Sequence, residues 1–109
     1  MKFKDYQERA KDTAHYPNVG ENYMYAALGL AGEAGEIANK IKKIERDFGG
    51  VITDDVRETV QAEIGDLLWY VAQLSSELGL DLEAVAIQNL AKLSDRKERG
   101  VLQGGGDER

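Results

Sequence analysis

Two acidic pairs stand out for what they can do chemically: Glu33-x-x-Glu36 and, 26 residues further on, Glu63-x-x-Asp66. Residues three apart lie one turn apart on a helix, so each pair offers two carboxylates to the same side. Brought together, the four make a site for a hard divalent cation, magnesium or manganese, that takes oxygen ligands, keeps several waters and binds a phosphate substrate. A di-iron bundle requires Glu-x-x-His on two helices, which is lacking here. The single histidine, His15, sits at a helix end beside a break between helices, where a surface or capping role is its plainest reading. For Glu36 the competing reading is an i,i+4 ion pair with Lys40 on a solvated helix edge.

Helices must position these groups, because alternating β-branched runs are nearly absent and Pro17 is the one proline. Four helical segments are expected, at about Lys2 to Ala14, Glu21 to Phe48, Asp54 to Leu78, and from just after Asp81 to near Gly100. Pro17 and Gly20 break the first join, Gly49-Gly50 stops the second segment, and Thr53-Asp54-Asp55 supplies an N-cap and first-turn acids to the third. Residues 1–100 read as one all-α domain of the four-helix-bundle type, and residues 101–109 as a flexible Gly-rich tail. Gly104 to Gly106 lack the Lys-Ser/Thr pair and following helix of a phosphate loop.

At 100° per residue, Val56, Val60, Leu67, Tyr70, Leu74 and Leu78 share one arc of the third helix, with Glu63 in its middle and Asp66 about 60° to one side. Both acids are expected on a buried face, which is costly unless a cation compensates them. The second helix has its apolar arc at Tyr23, Ala27, Leu30, Ala34, Ile37, Ala38 and Ile41, with Glu33 and Glu36 along one edge. A short Gly-rich link makes the two helices an antiparallel hairpin. Glu36 then precedes the turn by about as much helix as Glu63 follows it, about 14–16 Å at 1.5 Å per residue, and the pairs face each other. Gly29, Gly32 and Gly35 recur through this stretch at about 1 kcal/mol each against alanine. With Gly65 they clear space around the acids for metals and a polyphosphate, and close helix packing is the other use such glycines have.

The chain has 109 residues, no cysteine and 14 Lys+Arg against 20 Asp+Glu, a net charge of -6. Thiolate chemistry is excluded, and a surface built for a nucleic-acid polymer or an anionic membrane is disfavoured. No apolar run reaches membrane-spanning length, and the charged N-terminus is unlike a signal peptide, so a soluble cytoplasmic protein is the expectation.

The double acidic motif with this spacing, carried by "GLAGEAGEIANKIKK" and "EIGDLLWYVAQLSSELGLDLEAVAIQNLAKLSDRKERG", resembles the MazG-type all-alpha nucleoside triphosphate pyrophosphohydrolases. The resemblance runs from about Tyr23 to Arg99. It implies that Glu33, Glu36, Glu63 and Asp66 bind magnesium, with manganese as a substitute, and form the catalytic centre. An activated water would attack the α-phosphorus of a nucleoside or deoxynucleoside triphosphate, giving the monophosphate and pyrophosphate in nucleotide-pool control. Some relatives carry an extra glutamate just before the first motif acid. Gly32 stands there in this chain, leaving proton acceptance to a metal-bound carboxylate or to hydroxide on the metal. Tyr70 matches a tyrosine that contacts the nucleotide in relatives, with a core aromatic as its alternative.

Asn89, Lys92 and Arg96 share one side of the fourth helix and would meet phosphates or sugar, against a plain solvated face, the favoured reading for Arg96. Lys40 and Lys43 are triphosphate contacts on the same terms. Arg99 and Arg109 would close over the substrate if the tail were not simply disordered. The base would face Tyr6, Tyr16, Tyr23 or Trp69. Leu68, Trp69 and Ala72 give the third helix an apolar side away from Glu63, so a homodimer or homotetramer is expected, as in relatives. The competing functions are phosphoribosyl-ATP pyrophosphohydrolysis and a non-catalytic helical module that binds metal or a partner.

Overall fold

Each helix boundary in the computed structural model has a local chemical cause. The structure describes every residue except 108. It contains α1 (Phe3–Ala10), continued by a 3-10 turn at Lys11–Thr13, then α2 (Tyr23–Phe48), α3 (Asp54–Glu77) and α4 (Leu82–Glu98). Asn22, Thr53 and Asp81 cap α2, α3 and α4, each side chain accepting a backbone N–H of the first turn. Gly49 ends α2 with φ 61°, a left-handed conformation that a side chain would strain. The all-α expectation holds, and the ends of the three long helices fall within about two residues of those read from capping and glycine signals.

The hairpin of α2 and α3 is the main packing unit, with Ala26 fully buried on one helix and Ala72 on the other. α1 and α4 lie against α3. Gln7 joins these pieces: its amide donates to Ser76 Oγ at 3.1 Å and to the Leu80 carbonyl at 2.9 Å, and its oxygen accepts the Leu82 N–H at 2.9 Å. The apolar centre is small, with Ala10, Ala72 and Leu82 flanked by Tyr6, Trp69 and Val71. Of the apolar side of α3 expected to face a second chain, Ala72 is covered from within, while Leu68 and Trp69 stay half-buried. α1 supplies Ala10 and Tyr6 beside Trp69, and α4 supplies Leu82, so Ala72 has no free face.

Another surface is left open instead. Ile41, Ile52, Val56, Val60 and Ile64 line an apolar groove of about 330 Å³ along the turn end of the hairpin. A folded monomer of 12.0 kDa is expected to expose about 6,000 Å². This chain exposes 7951 Å². Its radius of gyration, 16.8 Å, likewise exceeds the roughly 13 Å usual for such a length. Among the described residues, no helix is long and apolar enough to cross a membrane.

Candidate metal and phosphate site

Three of the four motif acids converge. Glu33 comes from α2 and Glu63 and Asp66 from α3, each offering a carboxylate oxygen, all within 4.8 Å of one another. The hairpin register does this, setting Glu33 of α2 beside Glu63 and Asp66 of α3. Asp66 is exposed, not buried as its helical angle suggests, while Glu33 and Glu63 are partly covered. Its 60° offset from the arc turns Asp66 out of the helix interface and into a cleft of about 400 Å³ lined by Thr13, Glu33, Asp66, Trp69 and Tyr70. Glu36 is exposed on α2 and lies outside the close triad, near enough for its charge to act on Glu33.

Electrostatics in the cluster are unfavourable without a cation. Burial raises the pKa of Glu33, as do a hydrogen bond with Glu63 and the negative charges of Asp66, Glu63 and Glu36. The protein supplies one positive charge across the hairpin: Lys40 Nζ lies 3.7 Å from Glu63 Oε1. Lys40 thus joins α2 to α3, whereas the sequence suggested a partner in Glu36 on its own helix. One ammonium beside three carboxylates leaves an excess of negative charge, and a donor set made only of carboxylate oxygens suits magnesium or manganese. Glu33, Glu63 and Asp66 are the residues that fit such an ion, with Glu36 adjacent.

The cleft wall is aromatic and firmly held. Trp69 Nε1 donates to Thr13 Oγ1 at 2.9 Å, and the indole meets Tyr70 edge to face at 5.0 Å. Tyr25 lies 6.5 Å from Tyr70 and stacks on Tyr16 at 4.5 Å with the rings 9° from parallel. Burial, then Tyr25 and the charges of Glu33 and Asp66, raise the Tyr70 hydroxyl above its usual range. Gly29 belongs to this wall, since a Cβ there would sit 2.1 Å from the Tyr70 ring. Gly29 therefore serves close packing. Gly32, Gly35 and Gly65 have nothing within 4 Å of a built Cβ and border open space.

The aromatic row is anchored by Glu77 at the end of α3. Its carboxylate accepts from the Tyr16 hydroxyl, from Gly20 N–H at 2.9 Å and from Asn22 N–H at 3.0 Å. Burial alone would raise Glu77, but these donors outweigh it and hold the carboxyl below its ordinary range. Tyr16 is pushed up to about 12 by burial and by Glu77. Among the aromatics expected to face a base, Trp69 lines the cleft. Tyr6 and Tyr16 are drawn into packing, and Tyr23 is exposed on the surface.

The remaining expected substrate contacts are not gathered here. Lys43 is exposed one turn beyond Lys40, and Asn89 is exposed on α4, which supplies none of the cleft lining. Lys92 and Arg96 face the tail: Lys92 Nζ and Arg96 Nη2 each lie 3.2 Å from Asp107 Oδ1. Arg96 is 3% exposed, so the solvated face favoured for it is overturned. Arg99 pairs with Asp95 at 2.8 Å and donates to the Arg109 carbonyl at 2.7 Å, and Arg109 donates to the Val101 and Leu102 carbonyls, so both are engaged within the C-terminal segment.

An all-α hairpin that brings an acid of one helix against two acids of the other defines a class. The profile of the MazG nucleotide pyrophosphohydrolase domain matches residues 22–101, and the chain belongs to that family. A similar relative is the "Gene 37 protein" of Mycobacterium phage L5, 55% identical over 109 residues that cover 95% of this chain and 96% of the relative. No solved structure matches the chain.

Proposed function

We propose that this chain is a magnesium-dependent pyrophosphohydrolase that cleaves nucleoside or deoxynucleoside triphosphates to the monophosphate and pyrophosphate. The convergence of Glu33, Glu63 and Asp66 within 4.8 Å, with too little positive charge of its own, carries the reading. In it, Glu33, Glu36, Glu63 and Asp66 hold magnesium, or manganese in its place. The ion offsets phosphate charge and increases the acidity of water, the chemistry that phosphoanhydride hydrolysis needs. Lys40, held beside Glu63, is the cation placed to meet the phosphate chain. The Tyr70 and Trp69 wall orients the nucleoside and narrows access of bulk water. Without a glutamate at Gly32, the proton of the attacking water passes to a carboxylate of the cluster. Pyrophosphate release from a panel of nucleotides that includes phosphoribosyl-ATP, with and without magnesium, is the test. Hydrolysis that persists unchanged in Asp66→Asn would remove the acids from the mechanism, and hydrolysis of nothing would leave a silent binding module.

We also propose a homodimer, or a tetramer built from dimers, formed through the Ile41, Ile52, Val56, Val60 and Ile64 groove. An excess of about 2,000 Å² on one chain is more than the roughly 800 Å² each partner gives to a standard interface and is in the range of one partner's share of a large obligate one. Light scattering tests it: Ile64→Asp is expected to give a 12.0 kDa species and the parent chain at least twice that.

A further inference from the structure

Arg96 is a buried guanidinium, its side chain 4% exposed, on the outer helix of a chain that is acidic overall. A charge so placed needs a counter-charge, and the structure supplies it from the Gly-rich tail. Arg96 Nη2 donates to the Asp107 backbone carbonyl and lies 3.2 Å from Asp107 Oδ1, which Lys92 Nζ also meets at 3.2 Å. Lys92 and Arg96 are one turn apart on α4, so a single oxygen sits between an ammonium and a guanidinium, the arrangement that also receives a phosphate oxygen. The Asp107 side chain is 82% exposed, and Gly104, Gly105 and Gly106 precede it, so the acid is held by these two cations and not by packing. Its carboxyl is held below the ordinary range by Lys92 and then Arg96.

We propose that the tail is an internal competitor: Asp107 occupies the Lys92–Arg96 pair as a carboxylate and must be displaced before a phosphate-chain anion binds there. This rests on the reading of the substrate class as a polyphosphate, and it adds a regulatory contact that limits affinity until the tail lifts. A short flexible connection gives a tethered carboxylate an effective concentration in the millimolar range; with an intrinsic dissociation constant about a tenth of that, its removal tightens anion binding by about tenfold.

Inorganic pyrophosphate, titrated calorimetrically into metal-free protein, is the probe, because its binding needs no hydrolysis. Asp107→Asn is expected to bind about tenfold more tightly than the parent chain, and adding Lys92→Met is expected to abolish the gain. Equal or weaker binding by Asp107→Asn, or no binding by either protein, overturns the proposal. A second measurement needs no variant: pyrophosphate added to 15N-labelled parent protein is expected to move the Gly104, Gly105 and Gly106 amide resonances toward unstructured positions. Unmoved tail resonances at saturating pyrophosphate overturn the proposal as well. Neither result depends on turnover, so a chain that hydrolyses no nucleotide can still pass, and an active pyrophosphohydrolase can still fail.

Discussion

Neutralising Glu33 in the metal-free protein should stabilise it, and the gain should depend on pH. Glu33 and its neighbours offer oxygens within 4.8 Å. Two like charges about 4 Å apart repel by ~1 kcal/mol in water and by about 4 kcal/mol at an effective dielectric constant of 20. The cleft is open, Asp66 is exposed and Lys40 offsets Glu63, so solvent screening puts the gain for Glu33→Gln near the lower figure, about 1 kcal/mol. For a domain of this size that corresponds to roughly 4–8 °C in melting temperature. The folded-state pKa of Glu33 lies above its ordinary 4.5. The penalty is therefore absent below 4.5 and develops as the pH rises through the raised value. Melting curves by circular dichroism with a chelator present are expected to place Glu33→Gln several degrees above the parent at pH 8 and level with it at pH 4. Saturating magnesium should reverse the order at pH 8, because only the parent retains the full ligand set. A variant that melts lower than the parent at pH 8 without metal would make the cluster a structural network and refute the reasoning.

Four further outcomes are expected. Glu63→Gln and Asp66→Asn should abolish magnesium-dependent pyrophosphate release while far-ultraviolet circular dichroism stays unchanged. Gly29→Ala should lower stability, since displacing the Tyr70 ring costs about 1–3 kcal/mol against a helix gain of about 1 kcal/mol, whereas Gly32→Ala and Gly35→Ala should raise it. Glu77→Ala should cost about 2 kcal/mol in chemical denaturation by leaving Tyr16, Gly20 and Asn22 without their acceptor. Because the folded pKa of Glu77 is depressed, that contribution is present above its ordinary 4.5 and is lost as the pH falls through the lower value, so parent and variant should converge in acid.

Features set by local chemistry were legible in the sequence. Thr53 announces the start of α3 and Gly49 the end of α2, because capping needs only neighbours in the chain. The meeting of the two acidic motifs was legible from helical period and a short hairpin link, but the register was not: the sequence put Glu36 level with Glu63, and the structure brings Glu33 to Glu63 and Asp66 and leaves Glu36 exposed outside the triad. Long-range contacts left no such trace. Glu77 looks like an ordinary charge in a last turn, yet its partners Tyr16, Gly20 and Asn22 lie 55 to 61 residues away. Arg96 has the spacing of a solvated helix face, yet it is buried and meets Asp107, 11 residues further along the chain. The apolar side of α3 at Ala72 is indistinguishable in the sequence from an interface, and the docking of α1 by Gln7 is what closes it.

Hydrolysis at the α-phosphorus by the carboxylate site carries an isotopic signature. Turnover of a nucleoside triphosphate in 18O-labelled water with magnesium, read by mass spectrometry, tests it most directly. Pyrophosphate is expected as the first product, with the label in the nucleoside monophosphate and none in the pyrophosphate. Label in the pyrophosphate, orthophosphate as the first product, or no turnover across the whole nucleotide panel would contradict it.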